Sequence, residues 1–248
     1  MKISLIIPCY NETSNIQKGV LDKIGNYVEN DDRFIQVLIS DDGSTDGSKK
    51  IIKENYLPTF SKFKLIENPH RGKAYAVITG MERAKGEYVM FMDIDLATPI
   101  EESEKLIREL EDGYKIVIGS RSSQRKGAPL LRKVMAISNI FIRRFFIGIR
   151  GIRDTQCGFK VFEKKTALAI IKKLQVFSPS RSVRDSSVSA GFDLEFLFIA
   201  QKMQFKIKEV PVTWRHVETK NVKFVKDSLQ ALKDMLAIKR NDIAGKYV

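Results

Sequence analysis

Asp93 and Asp95 stand two positions apart at the end of the apolar run Tyr88–Met92. Side chains alternate along a strand, so both carboxylates leave it on the same side. Paired hard oxygens suit Mg²⁺ or Mn²⁺, which keep several waters and take further ligands from substrate phosphates. Such an ion neutralises charge on a diphosphate leaving group. A lone Asp-x-Asp is more often a solvated strand end, and the case for this pair rests on its company. Asp41-Asp42-Gly43-Ser44-Thr45-Asp46-Gly47 offers carboxylates that accept from ribose hydroxyls or a base N–H, and two glycines able to take positive φ. A calcium loop of the EF-hand kind needs Glu at its twelfth position. Counting from Asp41 or Asp42 gives Ile52 or Lys53, which rules that out. His70-Arg71-Gly72-Lys73 puts cations beside a glycine ahead of a helix, a fitting diphosphate contact. Neither GxGxxG nor GxxxxGK[ST] occurs, which argues against a dinucleotide fingerprint and a P-loop.

The elements that must position these groups read as alternating strands and helices. Strands are expected at Lys2–Ile7, ending at Pro8, and at Ile35–Ser40, Phe63–Glu67, Tyr88–Met92 and Lys115–Gly119. Helices are expected after Asn11-Glu12-Thr13-Ser14, around Ser48–Asn55, and at Lys73–Ala84 and Ile100–Asp112. Alternation of this kind predicts a largely parallel sheet covered on both faces, with ligands beyond the carboxyl ends of its strands. Pro8–Glu12, Asp41–Gly47, Asp93–Asp95 and Ser120-Arg121 all follow strands, so they should converge on one crevice. Further on, Lys133–Phe146 reads as a helix, Asp154–Phe162 as turn then strand and Thr166–Leu174 as a helix. Ser178–Ser189 reads as a polar loop, Phe192–Gln204 as a helix, Lys206–Val212 as a strand and Val225–Lys239 as an amphipathic helix packed on the core.

Charge is distributed unevenly over the 248 residues, whose net charge is +13. Residues 1–120 hold 16 basic and 20 acidic side chains, whereas residues 121–184 hold 16 basic and 2 acidic. A basic middle beside an acidic front half implies a localised anionic partner, such as a phosphorylated substrate, an anionic membrane or nucleic acid. The two cysteines, Cys9 and Cys157, make no disulfide framework and read as packing residues in a reducing compartment. No signal peptide is expected, and no window offers the roughly 18 uncharged apolar residues of a spanning helix. Lys133–Arg150 suits either a core helix or the membrane interface. Trp214 is expected buried beside Pro211, and His70 and His216 lack metal-ligand spacing.

The series Ile7-Pro8-Cys9-Tyr10-Asn11-Glu12, Asp41-Asp42-Gly43-Ser44-Thr45-Asp46, Arg71-Gly72-Lys73, Asp93-Ile94-Asp95 and Gly119-Ser120-Arg121 resembles family 2 of the inverting glycosyltransferases. Asp154-Thr155-Gln156-Cys157-Gly158-Phe159-Lys160, Phe192-Asp193-Leu194-Glu195 and Glu209-Val210-Pro211-Val212-Thr213-Trp214 resemble its polyprenyl-phosphate branch, nearest the dolichyl-phosphate glucosyltransferases. The resemblance implies one α/β domain of GT-A fold over residues 1–248, with a Rossmann-like, mostly parallel sheet. Residues 1–121 would form the nucleotide-sugar half and 122–248 the acceptor half. It implies Pro8, Tyr10, Glu12 and Asp42 around the nucleoside, Arg71 and Lys73 near the diphosphate or base, and Asp93 and Asp95 at a Mg²⁺ or Mn²⁺ ion. Arg121 and Arg132 would grip the acceptor phosphate, and Gln156 and Asp193 would line the sugar and acceptor side, with Asp193 among the catalytic groups. UDP-glucose is the first donor implied, with GDP-mannose and UDP-GlcNAc open. A polyprenyl-phosphate acceptor implies peripheral attachment to the cytoplasmic face of an anionic membrane.

A phosphate monoester has its second pKa near about 6 and attacks without a general base. What it needs is cationic positioning. An acceptor hydroxyl would need a carboxylate base. Two non-enzymatic readings compete. A nucleic-acid binder would show a basic stripe with interleaved aromatics or a known module, and no such module is visible. A sugar-nucleotide sensor without activity would not require both Asp93 and Asp95.

Overall fold

The apolar runs form seven strands: β1 (Ile3–Cys9), β2 (Phe34–Asp41), β3 (Phe63–Glu67), β4 (Tyr88–Met92), β5 (Ile116–Ser120), β6 (Phe159–Glu163) and β7 (Ile207–Pro211). Between them lie α1 (Thr13–Gln17), α2 (Val20–Glu29), α3 (Ser48–Ile51), α4 (Lys73–Arg83), α5 (Ser103–Glu111), α6 (Lys164–Ile171), α7 (Ala190–Lys202) and α8 (Phe224–Ile243). This computed structural model describes residues 1–121, 147–178, 190–215 and 224–247. Arg132, the expected helix at Lys133–Phe146, nearly all of the Ser178–Ser189 loop and His216 lie outside the described residues.

All seven strands join one sheet in the order β3-β2-β1-β4-β6-β5-β7. Strand pairs β1–β2, β1–β4, β2–β3 and β5–β7 are parallel, and β6 runs antiparallel between β4 and β5. Period-two alternation divides the strand residues between two cores. Leu5, Ile7, Met90 and Met92 face one core with Leu21 and Ile24 of α2 and Leu106 and Ile107 of α5. Ile6, Val89 and Phe91 face the other, with Val77 and Met81 of α4, Ile170 of α6, Leu197 of α7 and Ile238 of α8. Burial on both faces explains why β1, β4 and β5 read as continuous apolar runs, whereas the edge strands β3 and β7 carry charged residues that stay partly or fully exposed.

Several boundaries differ from expectation. β1 continues through Pro8 to Cys9, because β4 pairs with β1 only as far as Ile6 and the proline interrupts no ladder on that side. The helix expected after Glu12 splits into α1 and α2 at Gly19, whose φ is 76°. The helix expected at Ser48–Asn55 is four α-helical residues followed by a π-helical turn, Ile52–Tyr56. Trp214 is half-buried rather than enclosed, and it faces the Arg121 guanidinium at 5.8 Å.

Glu195 of α7 is fully buried and closes the carboxy-terminal end of the chain onto the core. Its carboxylate accepts backbone N–H groups of Gln175 (2.9 Å), Val176 (2.8 Å) and Phe177 (2.9 Å) and the Tyr247 hydroxyl (2.6 Å). Burial and the adjacent carboxylate push the Tyr247 phenol up, so it stays a donor. Glu195→Ala removes the acceptor of four donors, those of Phe177 and Tyr247 buried, and should cost about 3–5 kcal/mol in urea unfolding. Tyr247→Phe leaves Glu195 three partners and should cost about 1–2 kcal/mol. A loss below about 1 kcal/mol for Glu195→Ala would show that the cluster does not hold this end of the fold.

Candidate active site

Strands β1, β2, β4 and β5 point the same way, so their carboxyl ends share one edge of the sheet. Because β6 is antiparallel, the turn that enters it, residues 154–158, lies at that same edge. Gly158 brings this turn against Asp93, where a Cβ would stand 2.1 Å from the Asp93 carboxylate. Any side chain there would have to displace the Asp93 carboxylate.

After β2 the loop is built by its own carboxylates. Asp41 Oδ2 accepts the N–H groups of Gly43 (2.9 Å) and Ser44 (3.0 Å). Gly43 and Gly47 take φ of 78° and 96°, as the turn requires. Asp41 Oδ1 is buried without a partner among the described residues, leaving an acceptor for a ligand N–H or O–H. Asp42 is also buried and reaches across to the loop after β3. It accepts from Arg71 N–H (2.8 Å) and Gly72 N–H (2.8 Å), and it lies 2.8 Å from His70 Nδ1. It therefore fixes the start of α4, from which Lys73 projects. Tyr10 stacks on His70 with centroids 4.2 Å apart, and Arg71 lies over Tyr75 at 3.9 Å. Pro8 is buried within β1, and the Glu12 carboxylate accepts from Asn15 Nδ2 at 2.6 Å. A cavity of about 460 Å³ shares Ser44, Thr45 and Gly47 with this loop but is otherwise lined by Lys49, Lys50, Lys53, Glu54 and Glu67, so it is not the crevice around Asp93.

At the end of β4, Lys73 Nζ bonds Asp93, and Asp95 Oδ1 accepts Ala97 N–H at 3.0 Å. Burial opposes charge on Lys73, but Asp93, Asp193 and Asp95 outweigh it and raise its pKa. The carboxyl of Asp95 is pushed up by burial and by the nearby Asp93 charge. Burial raises Glu12 likewise, with Asp95 and Asp93 adding to it. The charges of Glu12, Asp93 and Asp95 thus disfavour one another, a setting that favours a divalent cation. Among the described residues no three His, Cys, Asp or Glu side chains form a ready ligand set. A metal at Asp93 and Asp95 would draw further donors from a diphosphate and water, which suits a hard ion.

The other half of the edge carries two buried ion pairs. Arg121 grips Asp154 in bidentate fashion, Nε to Oδ2 at 2.7 Å and Nη2 to Oδ1 at 2.9 Å. Burial opposes ionisation of Asp154, yet Arg121 brings its pKa down to about 2. Lys160 is 1 % exposed, and its Nζ bonds Asp193 Oδ1 at 2.7 Å and the Cys157 carbonyl, with the Phe91 ring centroid 5.2 Å away. Gln156 is exposed in the turn, its N–H bonded to Asp154 Oδ1 at 3.1 Å. Burial pushes the Cys157 thiol up to about 11 and the Cys9 thiol well above its usual range, so neither is a nucleophile near neutrality. The edge thus brings together Tyr10, Glu12, Asp42, Arg71, Lys73, Asp93, Asp95, Arg121 and Asp193. Sequence reasoning assigned no role to Lys160 or Asp154. Their signal was a lysine inside an apolar strand and an aspartate ahead of it, both needing partners once buried.

The sequence matches Glycosyl transferase family 2 over residues 4–171. A dolichyl-phosphate beta-glucosyltransferase of Saccharomyces cerevisiae is 30 % identical over 266 residues, covering 99 % of this chain and 76 % of that protein. One from Trichomonas vaginalis is 33 % identical over 233 residues, covering 89 % of this chain and 68 % of that protein. Among solved structures, glucosyl-3-phosphoglycerate synthase from Mycobacterium tuberculosis, in complex with Mn²⁺, UDP and glucosyl-3-phosphoglycerate, has a TM-score of 0.65 at 18 % identity. That likeness covers 96 % of this chain and 80 % of that one, and it is a likeness of fold. With the family match covering more than half of its length, the chain belongs to glycosyl transferase family 2.

Proposed function

We propose that this chain transfers glucose, with inversion, from UDP-glucose to a polyprenyl or dolichyl phosphate, using Mg²⁺ or Mn²⁺ at Asp93 and Asp95. The observation that carries the reading is the shared edge at which Asp93, Asp95 and Lys73 meet Asp193 and Arg121. The names of the yeast and Trichomonas relatives support the donor and acceptor classes. Residues 1–121 hold the donor and residues 122–248 the acceptor.

The metal would supply charge stabilisation to the departing diphosphate. Tyr10, Glu12 and the Asp41–Gly47 loop hold the nucleoside, with Asp42 fixing the loop that carries Arg71 and Lys73. Lys73 places a cation beside Asp93, where the diphosphate leaves. On the acceptor side, the clamp from Asp154 fixes the Arg121 guanidinium plane, which with Arg132 and Gln156 receives the phosphate nucleophile. Asp193, paired with Lys160, lines the sugar. A phosphate dianion requires positioning rather than deprotonation, so no base acts in the step. The enzyme works as a peripheral protein at the cytoplasmic face of a membrane. Among the described residues no helix is long and apolar enough to cross one.

The direct test is nucleotide release from a panel of UDP- and GDP-sugars, with Mg²⁺ or Mn²⁺, a short polyprenyl phosphate and EDTA controls. UDP release from UDP-glucose that needs both metal and lipid phosphate is expected. Release driven only by a hydroxyl acceptor would discard the lipid phosphate. Asp93→Asn and Asp95→Asn should each lower turnover by about a thousandfold with circular dichroism unchanged. A loss under about tenfold would remove the metal from Asp93 and Asp95. Asp193→Asn, made together with Lys160→Met so that no buried charge is stranded, should leave measurable transfer to a phosphate acceptor. Complete inactivity of a folded, donor-binding double variant would reinstate a general base.

A further inference from the structure

Helix α8 packs against α7 along one side only. Asp234, Met235, Ile238 and Asn241 are buried there. At about 100° per residue, Leu229, Leu232, Leu236 and Ile243 fall within about 60° of one another on the opposite side. They are 56 %, 44 %, 50 % and 78 % exposed, the largest exposed apolar side chains besides Met1 among the described residues. Lys233 and Arg240 are exposed on the same face, and Lys239 flanks it half-exposed. The acidic groups of this stretch turn inward: Asp234 is buried, and Asp242 pairs with Lys202 at 2.7 Å. Among residues 229–243 the outward face is thus apolar and cationic.

The buried side of this helix is anchored to α7. Gly191, in the first turn of α7, has no room for a side chain, since a Cβ would lie 2.7 Å from Asp234. Asp193 follows two residues later. We infer that the Leu229–Leu232–Leu236–Ile243 face of α8 is the surface by which the protein docks on an anionic lipid bilayer. The leucines and Ile243 enter the headgroup–acyl boundary, while Lys233 and Arg240 reach the anionic headgroups. The helix lies in the interface rather than crossing it, since it is not apolar enough to span. The inference deepens the proposed function, because a lipid-borne acceptor has to be met at a bilayer.

The test is flotation of the purified full chain with phosphatidylcholine vesicles, with and without phosphatidylserine, all free of polyprenyl phosphate. Wild type is expected to float with the phosphatidylserine vesicles. Leu232→Gln/Leu236→Gln/Ile243→Gln should reduce partitioning by about a hundredfold. Lys233→Glu/Arg240→Glu should abolish the preference for phosphatidylserine. Circular dichroism should be unchanged in both variants, because every substituted side chain is solvent-exposed. Turnover with a short, water-soluble polyprenyl phosphate should also be unchanged. Flotation of the glutamine variant equal to wild type would overturn the inference. So would a wild-type dimer in sedimentation that the variant dissociates while vesicle binding stays the same, since the face would then join two copies. Wild type that floats but transfers no glucose would instead refute the proposed acceptor and leave the docking surface standing.

Discussion

The structure turns on the problem of holding many carboxylates at one edge of a sheet. Strand ends, the turn into β6 and the start of α7 bring Glu12, Asp41, Asp42, Asp93, Asp95, Asp154 and Asp193 to that edge, and like charges in a low dielectric repel strongly. Most have a defined counterpart. Asp154 has Arg121, Asp193 has Lys160, and Asp41 and Asp42 accept backbone N–H groups. What is left of the negative potential concentrates at Asp95 and Glu12, beside an Asp93 that Lys73 already pairs. The fold thus neutralises its acids everywhere along the edge except where a cation and a diphosphate would bring their own charges.

Much of this was legible in the sequence, for identifiable reasons. A strand buried on both faces leaves an uninterrupted apolar run, so Tyr88–Met92 was bounded correctly. Strand ends in a parallel sheet share an edge, so their convergence followed from alternation alone. The antiparallel β6 was not legible, because Phe159–Glu163 has the same composition whichever way it runs. Nor was the role of Asp42 in fixing the Arg71–Gly72 backbone, since two backbone N–H partners 29 and 30 positions away leave no local pattern. Gly158 stood in a quoted motif, but its reason, a backbone pressed against Asp93, needed coordinates.

That antiparallel strand makes one site of two halves. Had β6 run parallel, its preceding turn would lie at the opposite edge, far from Asp93. Reversed, it delivers Asp154, Gln156 and Gly158 to the carboxyl ends of β4 and β5, and it buries Lys160 beneath them. Burying a lysine in a strand costs several kcal/mol unless its charge is matched. Asp193, the Cys157 carbonyl and the Phe91 ring do so, and in the same contacts they tie α7 and the 154–158 turn to β4. The ion pair thus joins α7 to the centre of the sheet.

A phosphate nucleophile would need no base in the proposed transfer. Such an acceptor would arrive charged at neutral pH, so the protein's work would be to hold it in line and to tolerate two anions approaching each other. Cations locked by partners do this better than mobile ones, because their orientation entropy is lost on folding rather than at each turnover. Arg121, fixed by Asp154, and Lys73, set by the loop that Asp42 anchors, are cations of that kind. The same reasoning extends to α8: were the nucleophile lipid-borne and confined to a plane, the enzyme would have to be held at that plane, and the outward apolar face of α8 with its cations would hold it there.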